Sequence, residues 1–185
     1  MMNSQNDKED LQQIKVIERR ASQQLSALGE VSDLLDKAGI AYWLFGGWAV
    51  DFYVGSVTRP HDDVDLAVWL VDSPRIVELL RTTRWHHAPL EDEDGGTGYE
   101  RGGVRLELTF LVRGSDGLAS IPLRSGLVAW PGEDALAKDV GELHGVRSRL
   151  LGFAALISGK SASRDDPEDA AKDRADFTRL SQILG

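Results

Sequence analysis

The sequence contains no cysteine, which excludes disulfides and thiolate metal sites. It lacks a long apolar run, since no stretch approaches the roughly 18 residues of a membrane-spanning helix. The N-terminal stretch MMNSQNDKEDLQQ is too polar for a secretory signal. A soluble, cytoplasmic protein is expected, with no membrane partner. Basic residues are outnumbered: 21 Lys and Arg stand against 30 Asp and Glu, for a formal net charge of −9. That balance disfavours broad nucleic-acid binding, which needs a basic surface to displace counterions. It is compatible with a cationic small molecule, because acidic clefts concentrate positive ligands, and also with a charge that serves solubility alone.

What is present is enough for a core. Hydrophobic residues make up 42% of the 185 positions, and the length suits one domain. Residues 1–9 are expected to form a disordered tail and residues 10–185 the domain. That domain divides into N-terminal helices over 10–38, a catalytic core over 40–112 and a C-terminal part over 113–185. Leu11, Ile14, Ile17, Ala21, Leu25 and Leu28 recur at helical spacing, with a break expected at Gly29 and a second helix ending near Gly39. The run from Ile40 to Phe45 reads as a buried strand, and Ser73-Pro74 opens a helix. Strand and helix alternate, so helices should flank a sheet.

The informative stretch is GGWAVDFYVGSVTRPHDDVD, Gly46 to Asp65. Gly46 and Gly47 lead into a short helix ended by Gly55. A glycine pair lets backbone approach a ligand closely, and a helix start offers free N–H groups to an anion. Asp51 within this helix reads as a structural hydrogen-bond acceptor. Asp63 and Asp65 open the apolar run VDLAVWLV and, two apart on a strand, project from one face. Adjacent carboxylates repel, and a divalent cation relieves them; oxygen-only donors suit Mg²⁺. A phosphate-binding turn beside a Mg²⁺ pair points to a nucleoside triphosphate.

Further on, VRLELTFLV (Val104 to Val112) alternates cleanly. Glu107 shares a face with Arg105, Thr109 and Leu111, and a mid-strand carboxylate needs a partner. Two partners are open to it, the metal site or Arg105. The acidic loop Glu91 to Asp94 adds to the case for a cationic acceptor. Asp166 and Pro167 start a final helix whose apolar stripe is Ala170, Phe177, Leu180 and Leu184. Asp173 and Asp176 on it are read as local helix partners.

Gly-Gly, a spacer, then Asp-x-Asp on a strand resembles the polymerase-β-type nucleotidyltransferase superfamily. The fuller string GGWAVD, then Gly55, then TRPHDDVDL resembles the small lincosamide and aminoglycoside nucleotidyltransferases. The likeness covers Ile40 to Val112, and KDRADF (Lys172 to Phe177) is similar to a signature in their last helices. It implies an α+β nucleotidyltransferase fold: a mixed β-sheet with flanking helices and extra N- and C-terminal helices. It implies transfer of a nucleotidyl group, most simply adenylyl from ATP, to a hydroxyl of an aminoglycoside or lincosamide. Asp63, Asp65 and Glu107 would be the catalytic, Mg²⁺-binding triad, with Glu107 as ligand or general base. Close relatives carry Asp where this chain has Glu107, so the ligand role carries over better than the finer geometry. Gly46, Gly47, Arg59, His61 and Lys172 would serve the triphosphate, and the N-terminal helices a homodimer contact. The alternatives are a nucleotidyltransferase acting on protein or tRNA and an inactive nucleotide-binding relative.

Overall fold

The computed structural model describes residues 4–115, 117–130, 135–136 and 139–184, with side chains from residue 12. Helix α1 (Ser4–Lys37) is followed by strand β1 (Tyr42–Phe45), helix α2 (Gly46–Val54) and strand β2 (Val64–Trp69). Helix α3 (Ser73–Thr82) leads to β3 (His86–His87), β4 (Gly96–Arg101), β5 (Val104–Arg113), β6 (Ala119–Leu123) and β7 (Gly126–Ala129). A small hairpin, β8 (Val140–Leu143) and β9 (Val146–Arg149), precedes α4 (Phe153–Lys160) and α5 (Pro167–Leu184).

The sheet is mixed, as expected, with spatial order β1-β2-β5-β4-β3 and β6 and β7 continuing from the far end of β5. β2 and β5 run parallel; the other pairs are antiparallel. Alternation gives the sheet two faces. One presents Leu44, Leu66, Val68, Leu106 and Leu108 to the main core, where α1, α2 and α3 also bury Leu28, Trp48 and Leu80. Each fully buried side chain of this size contributes about 1.5–3 kcal/mol. The other face carries a smaller cluster of Trp43, Ala67 and Leu111, covered by Ile121 of β6 and by Trp130. Asp65 and Glu107 stand on this second face, directly paired in the β2–β5 register.

Three expectations change. The helix does not break at Gly29: α1 is continuous from Ser4 to Lys37. An added Cβ at Gly29 would press on Val146 of β9, so glycine here permits close helix–hairpin packing. The expected tail over 1–9 overlaps α1, which begins at Ser4, while residues 1–3 lie outside the described residues. Finally, α5 fully buries only Leu180 of the predicted stripe. Phe177 and Leu184 are exposed, and Asp173, Asp176 and Leu180 are the buried positions.

Candidate active site

A cleft of about 480 Å³ opens where the second sheet face meets α2, α4 and α5. The parallel pairing of β2 and β5 delivers its acidic floor. The extended backbone puts Asp63 and Asp65 on one side, and the register brings Glu107 alongside. One carboxylate oxygen from each lies within 4.8 Å of the others, an arrangement that could hold a metal ion. Glu107 stands beside the two aspartates and also beside Arg105, whose Nε donates to its Oε1 at 2.6 Å. Burial, then the negative charges of Asp63 and Glu107, push Asp65 well above the usual carboxylate range. Asp63 is raised by burial, then by Glu107 and Asp62. Without a cation Asp63 and Asp65 thus tend to hold protons. A cation among them would favour the ionised form, and ionised all-oxygen donors fit Mg²⁺.

The glycine pair has a steric explanation. Gly46 has φ +67°, and a Cβ there would collide with the Asp65 carboxylate. A Cβ on Gly47 would come within 2.5 Å of both Arg59 Nη2 and His61 Nδ1. One glycine makes room for the acidic floor and the other for the basic turn, and together they open α2 toward the cleft.

The turn carrying Arg59 and His61 is fixed from below by Asp51, which is fully buried. Asp51 Oδ1 accepts from the Thr58 backbone N–H at 3.1 Å and from Thr58 Oγ1 at 2.6 Å. Its Oδ2 accepts from His61 Nε2 at 2.6 Å. The reading of Asp51 as a structural acceptor fits these contacts. His61, packed on Trp48, lines the cleft.

Asp176 has one local helix partner, Arg179 at 3.6 Å, but the closer partners of Asp173 and Asp176 come from outside α5. Arg59 donates to Asp176 from Nη2 at 3.0 Å and Nε at 3.3 Å. Lys160 Nζ lies 2.7 Å from Asp173 and 3.1 Å from Asp176, and Arg164 Nε donates to Asp173 at 2.8 Å. Two buried carboxylates thus gather Arg59, Lys160 and Arg164 around one end of the cleft. Lys172 joins them from α5, with its Nζ on Asp62 at 3.3 Å and on Glu168 at 3.1 Å. Lys160 and Arg164 escaped sequence reasoning because nothing marks a lysine at a helix end as cleft-facing. KDRADF held the signal, but aspartates at helical spacing read as local helix partners.

The acidic loop does not reach the cleft. Asp94 Oδ1 accepts from the Arg124 backbone N–H, and Asp92 pairs with the Arg124 side chain. Glu93 Oε1 accepts from Thr97 and His87.

Comparison with known proteins gives a consistent result. A family model described as aminoglycoside-2''-adenylyltransferase matches residues 27–152. A 2''-aminoglycoside nucleotidyltransferase from Klebsiella pneumoniae is 40% identical over 43 residues, 23% of this chain and 24% of that protein. A lincosamide resistance protein from Staphylococcus haemolyticus is 32% identical over 50 residues, 27% of this chain and 31% of that protein. The matched stretches thus span only about a quarter to a third of these curated relatives. Among solved structures, ANT(2'')-Ia in complex with adenylyl-2''-tobramycin superposes with a TM-score of 0.66 at 20% identity. The superposition covers 88% of this chain and 90% of that one. A lincomycin-bound lincosamide antibiotic adenylyltransferase gives 0.64 at 18% identity, over 82% and 92%. At such identities the structural likeness establishes the nucleotidyltransferase fold.

Proposed function

The chain belongs to the aminoglycoside-2''-adenylyltransferase family, and on that footing we propose that it transfers the adenylyl group of ATP to a hydroxyl of an aminoglycoside or lincosamide antibiotic. The observation that carries this reading is the clustering of Asp63, Asp65 and Glu107 within 4.8 Å, facing a glycine-opened helix and four basic side chains across one cleft. Asp63, Asp65 and Glu107 would hold Mg²⁺, which in such sites offsets triphosphate charge and makes a bound hydroxyl more acidic.

The chain's own residues do the rest. The backbone N–H groups at the start of α2 and the side chains of Arg59, Lys160, Arg164 and Lys172 suit a triphosphate, the guanidinium groups by their planar donor forks. The acceptor oxygen bonds to the α-phosphorus as the bond from that phosphorus to the pyrophosphate oxygen breaks. The hydroxyl proton passes to Glu107, whose Oε1 is engaged by Arg105, leaving Oε2 to receive it. His61 presents Nδ1 to Gly47 while Asp51 accepts from Nε2, which orders the turn beside the start of α2.

The test is calorimetric titration of ATP into the protein with and without Mg²⁺, alongside Asp63→Ala/Asp65→Ala. Binding that requires Mg²⁺ and is lost in the double variant is expected. Equal ATP binding by the double variant would overturn the assignment.

A further inference from the structure

The two aspartates of the acidic floor are placed by different means. Asp65 lies inside β2, with Phe45 of β1 on one side and Glu107 of β5 on the other. Two ladders fix its backbone. Asp63 precedes β2 and the first register pair of either ladder. Its direction therefore depends on the segment that delivers it, the turn from Thr58 to Asp62.

That turn is held from two sides. From α2, Asp51 accepts from Thr58 and from the His61 ring. From α1 come two donors to the main chain. Gln24 Nε2 donates to the His61 carbonyl at 3.1 Å, and Arg20 Nη2 donates to the Asp62 carbonyl at 3.1 Å. Residues four apart on a helix share a face, so Arg20 and Gln24 meet the two consecutive carbonyls just ahead of Asp63. His61 is thereby tied through its ring to α2 and through its main chain to α1.

Gln24 sits in an unfavourable place for an amide. It is 1% exposed, and its helix neighbours Ala21 and Leu28 pack into the main core. Its Nε2 has the His61 carbonyl, but its Oε1 is buried and, among the described residues, has no hydrogen-bond partner. A buried polar atom left unmet opposes folding, and an apolar side chain here would continue the buried face of α1. Core stability does not account for the amide. The carbonyl two residues ahead of Asp63 does.

Resting on the reading of Asp63, Asp65 and Glu107 as a metal site, we propose that Gln24 is a positioning residue for that site. By holding the His61 carbonyl it sets the direction in which Asp63 presents its carboxylate to Mg²⁺. Asp63 is the ligand that the sheet leaves to the turn, and groups that orient a ligand from behind change metal affinity without touching the ion.

The experiment titrates Mg²⁺ alone into the full chain by calorimetry, for the wild type, Gln24→Met and Leu35→Ala. Gln24→Met keeps the length of the side chain and removes the donor. Leu35→Ala removes core packing from the same helix about three turns further on, and so controls for lost stability, which thermal unfolding measures on the same samples. Gln24→Met is expected to weaken Mg²⁺ binding about 10-fold. Leu35→Ala is expected to lower Tm and to bind Mg²⁺ as the wild type does. Unchanged Mg²⁺ binding by Gln24→Met would overturn the proposal, as would an equal weakening in Leu35→Ala. Gln24→Asn, whose amide falls one methylene short of the carbonyl, replaces Gln24→Met if that variant does not fold, with the same expected and overturning results. Absence of Mg²⁺ binding by the wild type would overturn the metal-site reading together with the proposal, which tells the two failures apart.

Discussion

Arg59 and Asp176, 117 residues apart in sequence, are joined by two hydrogen bonds, from Nη2 at 3.0 Å and Nε at 3.3 Å. The pair locks the turn after α2 onto the last helix. It also aims a guanidinium into the cleft, with Lys160 Nζ on the same carboxylate at 3.1 Å. Burial tends to raise Asp176. The hydrogen bond from Arg59 and the charge of Lys160 outweigh it, so its pKa is lowered.

Asp176→Ala is therefore expected to destabilise the protein by about 3–5 kcal/mol, because it leaves the largely buried Arg59 without its carboxylate and Lys160 with Asp173 alone. A carboxyl with a lowered folded pKa contributes stability above its unfolded value and loses it as pH falls through the folded one. Stability of the wild type should thus fall below about pH 4 more steeply than that of Asp176→Asn. Urea unfolding of both proteins across that range checks the sign.

The acidic floor predicts the opposite dependence. Asp63 and Asp65 have pKa values raised above 3.8, by burial first and then by neighbouring carboxylates. A raised folded pKa gives stability below the unfolded value that is lost as pH rises through the folded value. Metal-free protein should lose stability on this account as pH climbs from 3.8 through the raised values. Mg²⁺ should restore it, so the Mg²⁺-dependent gain in Tm is expected to be larger at pH 8 than at pH 5. Thermal unfolding with Mg²⁺ and with chelator at both pH values measures the difference.

Asp65→Asn follows from the same repulsion. Removing one of three clustered carboxylates is expected to raise the stability of the metal-free protein by about 1 kcal/mol. It should also abolish stabilisation by Mg²⁺. A variant that lost stability in chelator would show that Asp65 is held by attractions absent from this account.

Gly46 gives a steric prediction. Gly46→Ala combines positive φ with a collision on the Asp65 carboxylate. It is expected to cost about 1–3 kcal/mol and to eliminate the Mg²⁺-dependent gain in Tm. Gly55→Ala, also at positive φ but facing open space, should cost about 1 kcal/mol and keep that gain. Calorimetric unfolding of the two variants separates backbone strain from disruption of the floor.

Much of this was legible in the chain itself. The alternation of VRLELTFLV fixes which side of β5 Glu107 occupies, and Asp63 and Asp65 must share a face on any strand. That the two strands are parallel neighbours, with Asp65 opposite Glu107, is a matter of long-range pairing that periodicity does not encode. The buried face of α5 was misread for a related reason. Hydrophobic spacing selects Phe177 and Leu184, but the helix turns Asp173 and Asp176 inward, and cations from the turn after α2, from the α4–α5 corner and from Arg179 of α5 make that burial tolerable. The β6–β7 hairpin, with its poor turn and strand signals, gave little local information, although it forms one wall of the cleft.

The central claim is that this cleft transfers a nucleotidyl group, and product mass tests it most directly. The protein is incubated with Mg²⁺, ATP and a mixture of lincomycin and tobramycin, with Asp65→Asn in parallel, and the acceptors are weighed by mass spectrometry. The account predicts that one acceptor gains the mass of a single adenylyl group, with pyrophosphate released in equal amount and neither product formed by Asp65→Asn. Unchanged acceptor masses would contradict it, as would the same adenylylated product from the variant.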